Sequence, residues 1–135
     1  MHAHSPSSIT HLVVAAIGLL PVVCYAAKWE LVSKTEKVAY YLDLESIVSS
    51  GRLKRVWLLE NGHDGHNEFI YTSRLQLRVI NCSERSVAVK QYVLYALPDG
   101  KGEPLGDGAY RDSELDFLQV VPGSIGERIL RKVCN

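Results

Sequence analysis

Between residues 29 and 97, apolar and polar side chains alternate with a period of two, in runs separated by turn residues, and this pattern predicts β-strands. Residues 29–32 and 38–43 form a first pair, with residues 33–36 as the turn between them. Asp43 is placed to cap one helical turn through Ile47, after which Ser49-Ser50-Gly51 breaks the chain. Residues 52–60 and 68–81 make a second hairpin across a loop rich in Gly, Asn and Asp. Centred near Asp64, that hairpin pairs Leu59 with Phe69, Trp57 with Tyr71 and Leu53 with Leu75 on a core face. Its other face then sets Glu60 beside Glu68 and Lys54 beside Arg74, like charges that tolerate adjacency only in water. The register is open, but the parity is fixed, because a one-residue slip would exchange the two faces.

Gln76 and Arg78 alternate with Leu75, Leu77 and Val79, so this strand is half-buried with its polar members outward. Its partner is residues 86–97. Strict alternation then places Cys82 on the outer face with Gln76 and Arg78, so a bulge near Asn81 is needed if a helix packs on the core side. Residues 97–108 read as a mobile Gly/Pro connection, and residues 109–121 as a weaker extended segment ending at Pro122-Gly123. Ser124 and Glu127 are spaced as a capping box that opens a helix. Ile125, Ile129, Leu130 and Val133 form its apolar stripe, and Cys134 lies in its last turn. The predicted class is α+β: an antiparallel sheet with a C-terminal helix.

The charge distribution adds a compartment. All 15 basic and 15 acidic residues of the 135 lie beyond residue 27, and they cancel. A balanced chain offers no long-range field for a nucleic acid, and 47% apolar content excludes a disordered one. The charge-free run from Leu12 to Ala27 is shorter than the about 20 residues of a membrane span and fits a signal-peptide core. Small residues at Cys24 and Ala26 place cleavage after Ala26, giving a leader over 1–26, a mature domain over 27–135 and no stable membrane span after cleavage. A lipoprotein signal ending at Cys24 is the rival, with Val23 standing where such signals carry Gly, Ala or Ser. Export allows disulfides, and the two cysteines left after cleavage, Cys82 and Cys134, are predicted to pair.

The candidate chemistry is thin. His63 and His66, with Asp64, Glu60 and Glu68 near them, are the one set of potential metal ligands, but a glycine-rich turn does not fix their geometry and no metal is assigned. Ser124 lacks the GxSxG spacing and has a capping role instead. Glycines 100, 102, 106 and 108 fit neither GxGxxG nor GxxxxGK[ST]. Asp107, Asp112, Glu114 and Asp116 lack the EF-hand spacing. No catalytic residue and no cofactor is assigned, so the reading is of a protein that is not an enzyme. Arg52, Lys54, Arg74 and Arg78 form a basic stripe on the outer sheet face, suited to an acidic partner.

Four stretches carry a family resemblance: Lys28-Trp29 with Tyr40-Tyr41-Leu42-Asp43; Arg55-Val56-Trp57; Tyr71-Thr72-Ser73 leading to Asn81-Cys82; and Pro122-Gly123-Ser124-Ile125-Gly126-Glu127 ending in Val133-Cys134. In this order, from Trp29 to Cys134, they resemble the surface-adhesin protein E family of small exported Gram-negative proteins. The resemblance implies an antiparallel sheet of about six strands, a C-terminal helix tied down through Cys82 and Cys134, and a non-enzymatic homodimeric adhesin for host matrix proteins such as laminin and vitronectin. It implies a location in the periplasm or at the outer-membrane surface and transfers no binding residues. Asn81 departs from the acidic residue common before the family's cysteine. Two other readings remain: a periplasmic small-ligand or metal-binding protein using His63 and His66, and an envelope assembly factor.

Overall fold

The computed structural model describes residues 26–62 and 71–135. Six antiparallel strands follow one another as a meander: β1 (Trp29–Lys34), β2 (Val38–Ser50), β3 (Leu53–Gly62), β4 (Ser73–Asn81), β5 (Ser86–Leu97) and β6 (Lys101–Ala109). A two-residue β7 (Leu118–Gln119) pairs with β5 beyond the end of β6, and helix α1 (Ile125–Cys134) closes the chain. Cys82 and Cys134 are disulfide-bonded, with Cα atoms 5.7 Å apart. The sheet, the terminal helix and the bond between them are as the sequence led us to expect.

Register and faces differ from the expectation. Leu53 pairs with Asn81 rather than Leu75, Leu59 with Leu75, and Glu60 with Arg74; Lys54 sits opposite Ile80. Parity is kept, but the identity of the faces is reversed. The helix packs on the side that carries Gln76, Arg78 and Ile80, in one cluster with Leu42, Val56, Leu58, Ile80, Ile129, Leu130 and Val133. Cys82 therefore points at the helix by ordinary alternation, and no bulge near Asn81 is required. The other face is shielded at one end by the 3-10 turn Pro98–Gly100. There Asn61 exchanges two hydrogen bonds with Asp99, and Ser73 Oγ donates to the Leu97 carbonyl and accepts from Gly100 N–H. Asp112, in a second 3-10 turn (Asp112–Glu114), receives Arg55 and Lys90.

Three local readings are corrected by the ladders. Asp43 does act as a local acceptor, for Glu45 N–H and the Ser46 hydroxyl, yet the result is a bulge within β2 and not a helical turn. Leu44 to Ile47 face Val56 alone, and Ser46 Oγ takes the Trp57 N–H left without a strand partner. The Gly/Pro segment after Leu97 is an edge strand. Its glycines lie under side chains of β5: a Cβ at Gly108 would stand 2.5 Å from the Tyr92 ring, so an aromatic covers the position that glycine leaves bare. Of the extended segment expected over 109–121, Ala109 ends β6 and Leu118–Gln119 forms β7, and the residues between them stay outside the sheet.

The helix begins as its spacing dictates. Ser124 Oγ accepts from Glu127 N–H at 3.2 Å, while the Glu127 carboxylate reaches past the cap to Gly123 N–H at 2.8 Å. That backbone bond is the main reason the Glu127 carboxyl sits below its ordinary range. Ser124→Ala removes the cap acceptor and is expected to lower unfolding free energy by about 1 kcal/mol, measurable by urea titration with the slope unchanged.

Candidate binding site

Three rows of directly paired residues cross the helix-facing side of the sheet. Tyr40, Glu60, Arg74 and Leu94 form one; Leu42, Leu58, Gln76 and Tyr92 the next; Val56, Arg78 and Val89 the third. Helix α1 covers the β1–β3 end of these rows, resting on Leu42, Val56, Leu58 and Ile80. A cleft of about 230 Å³ remains between the first turns of the helix and the sheet. Its walls are apolar, from Leu58, Ile80, Val120, Ile125 and Ile129, and its polar members are Tyr40, Glu60 and Arg78. A shallower cleft of about 310 Å³ lies on the other side of Arg78, against Val89, Tyr110 and Glu114.

The members of the predicted basic stripe have separate fates. Lys54, Arg74 and Arg78 do share a face, but it is the face under and beside the helix. Lys54 Nζ donates to the Val133 carbonyl at 2.9 Å, so its charge sits at the helix C-terminus, where the helix dipole favours a cation. Arg74 is spent on Glu60: Nε and Nη2 both stand 2.6 Å from Glu60 Oε2, and the guanidinium lies 5.8 Å from the centre of the Tyr71 ring. Burial pulls the Arg74 pKa down, and the bond to Glu60 more than restores it. Arg52 stands exposed in the β2–β3 turn. A continuous solvated stripe is thus not formed, because the helix occupies the face on which the sequence placed it.

Arg78 differs from all of these. It makes no ion pair among the described residues, and its Nε is buried without a hydrogen-bond partner. Burial lowers its pKa, with attraction from Glu60 and repulsion from Arg74 as smaller, opposing influences. Two residues away on the same face, Gln76 is 1% exposed, and neither its amide nitrogen nor its oxygen has a partner among the described residues. Tyr40 completes the group; burial and then the Glu60 carboxylate hold its hydroxyl above the usual tyrosine range. Sequence alone does not bring Glu60 and Gln76 to this site, because a loop centre near Asp64 sets Glu60 beside Glu68 and alternation turns Gln76 to solvent. The parity shared by Glu60, Arg74, Gln76 and Arg78 was the signal that could have united them.

His63 and His66 lie outside the described residues, as do Cys24 and all but the last residue of the leader expected over 1–26. Among the described residues no group of three or more His, Cys, Asp or Glu could hold a metal ion, and no helix is long and apolar enough to cross a membrane.

Comparison with known proteins agrees with this fold. Residues 29–135 match the family model for surface-adhesin protein E. A crystal structure of Haemophilus influenzae protein E superimposes with a TM-score of 0.58 at 17% identity, covering 88% of this chain and 96% of that one. A second structure of Haemophilus influenzae protein E gives a TM-score of 0.57, also at 17% identity, over 86% and 90% of the two chains. No curated protein matches the sequence.

Proposed function

The chain belongs to the surface-adhesin protein E family, and on that premise we propose that it is an exported, non-enzymatic adhesin of the bacterial envelope that attaches to host matrix proteins of the laminin and vitronectin kind. The single observation that carries this reading is the family match over residues 29–135, essentially the whole domain beyond the leader. The protein E fold of the superimposed structures supports it as well. The leader over 1–26, removed after Ala26, belongs to the same reading, because an adhesin must leave the cytoplasm. So does a homodimer, which sedimentation equilibrium of the mature chain tests.

The surface open to such a partner is the sheet face away from the helix, where Trp57 and Leu77 lie opposite each other and half-buried. Interfaces draw their binding energy from aromatic anchors of this kind. Surface plasmon resonance of the mature chain against immobilised laminin and vitronectin, with serum albumin as control, is expected to show saturable binding that Trp57→Ala weakens at least tenfold. Absence of binding to both matrix proteins at physiological salt overturns the adhesin reading, and unchanged affinity in Trp57→Ala removes this face from it.

A further inference from the structure

A half-buried guanidinium whose Nε–H is sealed from water and unpaired is costly, because a buried polar group or charge is ordinarily compensated by a partner. Arg78 is in that state, and the acid nearest in effect, Glu60, is already held by both donors of Arg74. Summed over Glu60, Arg74 and Arg78, the cluster carries one positive charge in excess. The Gln76 amide, two residues along the strand on the same face but outside the cleft lining, is a separate buried group without a partner among the described residues. Native structures leave few such groups, and those that persist call for a specific cause.

We propose that the cleft between α1 and the sheet binds a small monocarboxylate with an apolar tail, the carboxylate on the Arg78 guanidinium and the tail among Ile80, Ile125 and Ile129. The planar fork of an arginine matches a carboxylate in two parallel hydrogen bonds, which supplies the missing partner and cancels the excess charge. The apolar walls account for the tail. A volume of about 230 Å³ is below the about 300–1,000 Å³ of pockets for drug-sized ligands and restricts the occupant to a short chain. Glu60 on the same cleft repels a second carboxylate, so the site prefers one acid group to two. The site faces the helix and is separate from the opposite sheet face used by the adhesin reading, so its failure leaves that reading standing.

Octanoate is a suitable probe, with octanol, octylamine and the dicarboxylate suberate as controls of equal chain length. Calorimetric titration of the mature chain is expected to show saturable 1:1 binding of octanoate, and at least tenfold weaker binding of each control. Amide shifts in an NMR titration should centre on Ile125 and Ile129. Arg78→Gln is expected to fold, since it removes an unpaired buried charge, and to weaken octanoate at least tenfold; Ile129→Trp, which fills the cleft without touching the charge, does the same. No saturable binding of octanoate, octanol binding as tightly as octanoate, shifts centred elsewhere, or unchanged affinity in either variant overturns the proposal.

Discussion

Replacing Cys82 and Cys134 together by serine lowers the unfolding free energy by about 4 kcal/mol, the cost given by the chain-entropy model for opening a loop of 52 residues. Against the about 5–15 kcal/mol of an ordinary domain, this is a large share. The reason lies at the end of the chain. A helix of 10 residues is not stable in water by itself and persists through packing and attachment. Here the attachment is at its last turn, while Ile129, Leu130 and Val133 supply the packing. Urea unfolding of the double variant, or of the wild type with reductant, should move the midpoint down and steepen the slope, because the unfolded chain without the cross-link exposes more surface. An unaltered midpoint would show that packing alone fixes the helix. The loss should appear first in α1, as faster amide exchange there than in β3 and β4.

Leu42→Ala is expected to cost about 2–5 kcal/mol, the range for truncating a leucine in a packed core. Leu42 is fully buried between the helix and the sheet, directly opposite Leu58, and it does not line the cleft, so no pre-existing space offsets the void. Leu31→Ala, on β1 at 50% exposure, is the control and should change stability by less than about 0.5 kcal/mol. Equal effects in the two variants would mean that the core is not where the contacts place it. Because Leu42 packs in the cluster that the helix completes, its loss and the loss of the disulfide should not add; contacting elements share their energy.

Strand existence, the capped helix and the pairing of two cysteines were legible because each depends on neighbours in sequence or on simple counting. The face was not. Gln76 and Arg78 look like solvent positions beside Leu75, Leu77 and Val79, and only the route of the last ten residues decides which side is covered. The register shifted for a related reason. Pairing was counted from a loop centre near Asp64, whereas the ladder matches Glu60 with Arg74, an ion pair that the assumed centre kept apart. Beyond Leu97, Gly and Pro carry a strong local bias toward loops, and the covering of Gly108 by Tyr92, across the ladder from β5, is not a local property. The basic residues were recognised as a set, but which of them is neutralised depends on acids and carbonyls brought from β3 and α1.

The composition of β6 also bears on life at high density. An outermost strand offers a bare rim of donors and acceptors to any passing chain. On this rim Pro104 has no proton to give, Gly102 takes a positive φ, Lys101, Glu103 and Asp107 bring charge, and the pairing with β5 slips twice. Such an interrupted border is a poor template for another copy, so molecules crowded together can meet along β6 without extending the sheet through it.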